Sequence, residues 1–98
     1  MLKPTSELLA EIITFVLNDQ QVRKSLAARD NDQYTRADGI SCRFFKYNTQ
    51  DDKRSAYLVN FVYLTKYQQD ERNDDVEILV EVIEGTPNQF AIRNVRFY

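Results

Sequence analysis

The side chains that could do chemistry in this 98-residue sequence are carboxylates, tyrosine hydroxyls and basic groups, because it has no histidine and one cysteine. The absence of histidine excludes Cys/His zinc sites, Ser-His-Asp and Cys-His catalysis, and the side chain that usually switches charge near neutral pH. The two glycines, Gly39 and Gly85, are isolated, so no glycine-rich phosphate loop exists. The candidates are then Asp and Tyr for acid–base chemistry and clustered Asp and Glu for metal binding.

Tyrosine and aspartate are the candidates for acid–base catalysis. Tyr57, Tyr63 and Tyr67 lie on one side of a predicted strand, and Asp38 lies at the mouth of the preceding strand. General acid–base catalysis needs two groups in defined geometry, and the sequence spacing does not place such a pair. Tyrosines that alternate along a strand more often pack a sheet. We therefore predict that the protein is not an enzyme and has no catalytic residues and no cofactor.

A metal site has one candidate region, the acidic stretch 68–75 with Asp70, Glu71, Asp74 and Asp75. Clustered oxygens suit hard cations such as calcium. The EF-hand pattern, however, needs a central glycine and a distant glutamate, and both are absent. The stretch is more typical of a solvated hairpin loop, so we expect no bound metal.

Nucleic-acid binding is suggested by basic residues interleaved with aromatic ones. Arg43 and Lys46 alternate with aromatic residues in the stretch 42–47, and Arg93 and Arg96 flank apolar residues in the last strand. A sheet face with this pattern can stack bases and hold phosphates. Against this, the glycines of the RRM signature are missing and the formal net charge is -2. We keep nucleic-acid binding as an alternative function.

The apolar pattern predicts one helix followed by four strands. Apolar residues recur at helical spacing over 6–28, with Thr5 or Ser6 as the N-cap. The polar segment 18–21 could kink this helix or cap two shorter ones. Alternating and β-branched runs predict strands at 40–47, 55–67, 76–84 and 89–98, with loops or turns at 29–38, 48–54, 68–75 and 85–88.

These elements predict one α+β domain over residues 1–98, with a long N-terminal helix packed on a four-stranded antiparallel meander. The order of elements resembles the cystatin-like and NTF2-like architectures. That resemblance implies frequent dimerisation through the sheet, and it implies a third possible function, a small-ligand or enzyme pocket between helix and sheet.

A single helix can cover only one face of the sheet, yet apolar residues lie on both sides of the strands. Val76, Ile78, Val80 and Val82 form a uniformly apolar set, which we take as the face under the helix. The other face then carries a surplus of apolar residues, and large exposed apolar patches usually mark interfaces. The sheet could also curl around the helix, which would leave the convex side only partly apolar.

We therefore predict a small protein-interaction module (an adaptor, inhibitor or assembly subunit) that acts through the second sheet face. The partner is expected to be a second copy, giving a homodimer, or a different protein. The predicted interface residues are Leu79, Ile83, Val62, Leu64, Val95 and Phe97, with Phe45 and Tyr47 at the rim.

The location of the protein is predicted from signals that the sequence lacks. No secretory leader is recognisable at the N-terminus, and no apolar run is long enough to span a bilayer. One cysteine cannot form an intrachain disulfide, which fits a reducing compartment. We expect a cytoplasmic protein that does not associate with membranes.

Overall fold

The computed structural model describes the backbone of residues 4–30, 35–67 and 70–97, and the side chains of residues 4–28, 39–64 and 75–97. The chain forms two helices and then four strands: α1 (Ser6–Leu17), α2 (Gln20–Asp30), β1 (Thr35–Tyr47), β2 (Arg54–Tyr67), β3 (Asp70–Ile83) and β4 (Gln89–Phe97). Each strand pairs antiparallel with the next, and the helices pack on one face, so the α+β prediction is confirmed. Within the described ranges, no helix has the length and apolarity needed to cross a membrane.

The predicted single long helix is not confirmed, because the chain forms two helices separated at Asp19. Thr5 caps α1, and its side-chain oxygen accepts a hydrogen bond from the Leu8 amide at 3.1 Å. The Asp19 carboxylate accepts from the amides of Gln21 at 3.0 Å and Val22 at 3.1 Å, which is how an N-cap begins a new helix. The alternative of two shorter helices with a cap between them is therefore the correct one.

The hydrophobic core lies between the helices and one face of the sheet. Leu8, Ile12, Val16 and Val22 form a buried stripe along α1 and α2. The stripe meets the side chains that point the same way on the two central strands, all of them buried: Tyr57, Val59, Phe61 and Tyr63 on β2, and Val76, Ile78, Val80 and Val82 on β3. The prediction that the β3 set faces the helices is confirmed. We call this side of the sheet the inner face.

Two strands extend into segments that the polar composition predicted to be loops. β1 begins at Thr35 rather than at residue 40, and β3 begins at Asp70 rather than at residue 76. Thr65 is paired with Arg72 and Tyr67 with Asp70, so the acidic segment 70–75 continues the ladder with β2. The loop prediction is wrong there, because pairing with a neighbouring strand satisfies the backbone whatever the side chains are.

Both edge strands contain β-bulges, and each bulge reverses which side chains face the helices. In β1 the register shifts between Phe44 and Lys46, so Phe45 is an extra residue. In β4 the residues opposite Leu79 and Val80 are Asn94 and Ile92, so Arg93 is the extra residue. Beyond an extra residue, the period-two alternation continues on the opposite side.

The bulges overturn the predicted positions of three interface residues. Tyr47 lies on the inner face, with its ring centroid 4.5 Å from that of Phe44. Val95 is paired with Ile78 and packs against the core, and Phe97 is paired with Val76 in a row that includes buried Phe61. The prediction that these three residues lie on the second face was wrong, because unbroken alternation was assumed through each edge strand.

Candidate protein-interaction face

The sheet side opposite the helices has no layer of structure packed on it among the described residues, and we call it the outer face. Its described side chains come from all four strands: Arg43, Phe45 and Lys46; Arg54, Ala56, Leu58, Asn60, Val62 and Leu64; Asp75, Glu77, Leu79, Glu81 and Ile83; Ala91, Arg93, Asn94 and Arg96. Of the predicted interface residues, Leu79, Ile83, Val62, Leu64 and Phe45 lie here.

The centre of the outer face is a short apolar row between polar ends. The registers place Leu58 beside Leu79, with Arg43 on the β1 side and Asn94 on the β4 side. A depression of about 340 Å³ lies over this row. It is lined by Arg43, Phe45, Leu58, Glu77, Leu79, Asn94 and Arg96.

Exposure differs greatly among the apolar residues of the outer face. Leu58 is 6% exposed, whereas Phe45 is 47% exposed because the bulge pushes it out of the ladder. Leu79, Val62 and Ile83 are partly buried. Phe45 is thus the one large apolar side chain that stands clear of the outer face within the described ranges.

An ion-pair network joins three strands at one end of the outer face. Glu81 Oε1 accepts from Arg54 Nη1 at 2.8 Å and from Arg93 Nη2 at 2.9 Å. Arg54 Nε also donates to Asp51 Oδ2 at 3.0 Å in the β1–β2 turn. The hydrogen bond from Arg93, assisted by the charges of Arg93 and Arg54, lowers the pKa of Glu81 even though partial burial opposes the shift. The network fixes the Arg93 bulge against β3.

The β1 side of the outer face carries two cations that no acidic group neutralises within the described structure. Arg43 has no ion pair there, and Lys46 Nζ lies 5.5 Å from the centroid of the Phe45 ring. A cation at this distance from an aromatic ring is weakly attracted to it. β1 therefore presents an exposed aromatic ring between two basic groups.

Two acceptor atoms on the outer face are buried and lack hydrogen-bond donors within the described side chains. Asn60 Nδ2 donates to Glu77 Oε2 at 3.4 Å, but Asn60 Oδ1 has no partner. Asp75 Oδ1, in the next outward-facing row of the sheet, is also buried and has no hydrogen-bond partner among the described residues. Buried acceptors without donors are unfavourable, so these two atoms lower the stability of the sheet.

All four residues proposed for nucleic-acid binding lie on the outer face, together with acidic residues. Arg43 and Arg96 line the central depression with Glu77, while Arg93 is bound to Glu81. Sequence reasoning did not predict the role of Arg54 and Glu81, which are 27 residues apart and meet only because β2 pairs with β3. The alternation of side chains along β2 could have identified Leu58 and Asn60 as residues of the outer face.

The groups considered for catalysis or metal binding lie mainly inside the core or outside the described side chains. Tyr57 and Tyr63 are buried in the core, and desolvation is the main cause that raises the pKa of Tyr57. The side chains of Tyr67, Asp38, Asp70, Glu71 and Asp74 fall outside the described ones. Within the described residues, no cluster of three potential metal ligands is found.

Cys42 lies on the inner face beside the core and is half-buried. Burial raises the pKa of its thiol to about 11, so the thiolate is scarce at neutral pH. This position agrees with the alternation of residues 40–44.

Comparison of the chain with protein-family models, with curated proteins and with solved structures finds no match.

Proposed function

We propose that this protein is a non-enzymatic protein-interaction module, an adaptor, inhibitor or assembly subunit, that acts through the outer face. The observation that carries the proposal is the exposed Phe45 ring beside an apolar row, on a sheet side that no helix of the described structure covers. Two cations stand next to this ring, and neither has an acidic partner among the described residues. A central apolar contact with charged residues around it is the usual composition of a protein interface.

The edges of the sheet offer a less suitable surface for partners than its face. A strand from another protein could add to an edge only where the edge is regular. β1 has register shifts at two places and β4 has one. Such bulges interrupt the row of hydrogen-bonding groups, so a partner is expected on the outer face.

Site-specific photo-crosslinking in the cells that produce the protein tests this function. A benzophenone side chain replaces Phe45, and the matched control replaces Lys24, an exposed residue on α2 on the other side of the sheet. We expect one defined protein adduct from position 45 and none from position 24. The absence of an adduct at position 45, or the same adducts at both positions, would contradict the proposal.

Nucleic-acid binding is the second candidate, and the presence of Arg43, Lys46, Arg93 and Arg96 on one face favours it. Glu81 already engages Arg93, and Glu77 lies opposite Arg96, which reduces the positive potential there. Phosphate contacts would make binding to short single strands fall steeply with salt. No binding at low salt would eliminate this candidate.

Two finer expectations stay predictions, and the proposed function depends on neither. They are the likeness to cystatin-like and NTF2-like folds and the cytoplasmic location. A pocket between the helices and the sheet, the third candidate function, would show itself as thermal stabilisation by a small molecule.

A further inference from the structure

We propose that the occupant of the outer face is a second copy of this chain, packed sheet on sheet about a two-fold axis that runs along β2. This inference rests on the proposed function and names the partner for it. It follows from the distribution of charge among the strands, from the rows that the registers define, and from the exposed ring of Phe45.

The charges of the outer face are segregated by strand. The described outer side chains of β1 include the cations Arg43 and Lys46, while β3 presents the anions Asp75, Glu77 and Glu81. Between them, β2 is uncharged over residues 56–64. A rotation of 180° about β2 places β1 of each copy over β3 of the other, so opposite charges meet on both sides of the axis.

The registers specify which residues meet. A rotation about an axis parallel to the strands keeps each cross-strand row facing the same row of the second copy. Lys46, Ala56 and Glu81 form one such row, so Lys46 of each copy lies over Glu81 of the other. Arg54 and Arg93 both bind Oε1 of Glu81, so the atom that Lys46 would contact is Oε2. Arg43 lies over Leu79 in the next row, between Glu77 and Glu81.

The exposed Phe45 ring has a place in the same arrangement. Because it is the bulged residue between the rows of Arg43 and Lys46, it lies over the segment between Leu79 and Glu81 of the second copy. Two-fold symmetry repeats this contact, so both Phe45 rings are buried. Buried aromatic anchors of this kind supply a large part of the binding energy of interfaces.

The axis along β2 brings Arg54 of the two copies towards each other, but Asp51 and Glu81 already bind this side chain at 3.0 and 2.8 Å. Other two-fold axes bring more like charges together. An axis between β2 and β3 places β1 over β4, where Arg43 and Lys46 approach Arg93 and Arg96. An axis perpendicular to the strands places each strand over itself, and the anions of β3 then face one another. Like charges in contact across an interface are costly, so these arrangements are disfavoured.

The area of three strands sets an upper limit for the interface. β1, β2 and β3 have 13, 14 and 14 residues. At ~3.3 Å per residue and ~4.8 Å between strands they cover roughly 650 Å² per copy, so two copies bury at most about 1,300 Å², near the lower limit for specific interfaces. Aligned sheets pack at about −30° to each other, so the rows near the centre of β2 make the closest contacts.

The first test measures the molar mass of the full chain by light scattering over a dilution series. The single chain has a mass of 11.6 kDa, and we expect twice that value for the parent. Lys46→Glu should raise the dimer dissociation constant at least tenfold, whereas Lys53→Glu, the same charge change at an exposed turn residue, should leave it unchanged. A parent that is monomeric throughout, or equal effects of the two variants, would overturn the inference.

A second test exchanges the charges of Lys46 and Glu81 between two variants and measures whether they form a heterodimer. Glu81→Lys alone should also weaken the dimer, and mixing it with Lys46→Glu should form a heterodimer, because both cross-copy contacts then join opposite charges. If Glu81→Lys does not fold, the dissociation constants of Lys46→Glu and Lys53→Glu still test whether the dimer forms through the outer face. An adduct at position 45 that contains only a different protein would refute the dimer and leave the proposed function standing; no adduct at position 45 would refute both.

Discussion

Leu58 and Leu79 are directly paired across β2 and β3, at the centre of the sheet face that no helix of the described structure covers. Leu58 is only 6% exposed even though it faces away from the core. Leu79 remains partly exposed in the same row. The two leucines therefore differ in role: the first stabilises the sheet itself, and the second remains available to a partner.

Replacing Leu79 with lysine should preserve the fold and weaken self-association. The new ammonium group stays in water in the single chain, whereas in the dimer it would be buried under Arg43 of the second copy, where the two positive charges repel each other. We expect the helical and strand signals in circular dichroism to be retained and the dissociation constant to rise at least tenfold.

The matched control for this variant is Ile78→Lys, one residue earlier on the buried side of the same strand. That change places an unpaired charge in the core, and we expect it to prevent folding. If Leu79→Lys unfolds as Ile78→Lys does, Leu79 belongs to the core and the outer face is not available to a partner.

Replacing Glu81 with glutamine should lower the free energy of unfolding by roughly 0.5–1 kcal/mol at neutral pH, since the ion pairs it makes are partly solvent-exposed. The arginines lower the pKa of Glu81 in the folded chain. Its stabilising effect is therefore full above the unfolded pKa, which is about 4.3, and is lost as the pH falls through the folded pKa.

Denaturant unfolding at neutral and acidic pH checks this prediction. The difference between the parent and Glu81→Gln should shrink as the solution is acidified. Glu11→Gln makes the same change at an exposed helix position and should have little effect. A difference that is independent of pH would mean that packing of the side chain, and not its charge, stabilises the fold.

The Cys42 thiol should react slowly with iodoacetamide in the folded protein. Burial holds its pKa at about 11, whereas an unfolded cysteine has a pKa of about 8.5. At pH 8.5 we expect alkylation at least ten times slower in buffer than in denaturant, because the thiolate fraction and the access are both smaller. Equal rates would contradict the placement of Cys42 beside the core.

The same shift predicts a loss of stability in alkali. Since the folded pKa is the higher one, the contribution of Cys42 is fully present below the unfolded pKa and is lost as the pH rises towards about 11. Cys42→Ala removes this titration and should flatten the alkaline part of the stability profile. An identical profile for parent and variant would show that another group causes the loss.

Asp19→Ala should destabilise the protein by about 1 kcal/mol, because the amides of Gln21 and Val22 lose their capping acceptor. Asp19→Asn retains a side-chain oxygen at the same place and should lose much less. Thermal unfolding of the two variants measures the difference. Equal losses would indicate that the charge of Asp19, rather than its hydrogen bonds, begins α2.

Features that depend on neighbours in the chain could be predicted from the sequence. The cap at Thr5, the stripe from Leu8 to Val22 and the inward set that begins at Val76 follow from the local period and from local hydrogen bonds. The segment 18–21 was recognised as a break, and the choice between a kink and a cap required the position of the Asp19 carboxylate.

The candidate site depended on contacts between strands, and only the tertiary structure decided it. The extra residues Phe45 and Arg93 exist because neighbouring strands pair in shifted registers, and each shift reverses the facing of everything beyond it in its strand. For this reason Tyr47 and Val95 lie on the inner face and not on the predicted one, and Phe45 is exposed on the outer face.

The charge pattern has the same origin. Arg54 and Arg93 lie 27 and 12 residues from Glu81, and only the order of the strands brings them together. Alternation along a strand is a local property of the sequence. The position of an extra residue in a strand is not a local property, because it depends on how that strand pairs with its neighbour. For this reason the set of residues on the outer face could be read only from the folded chain.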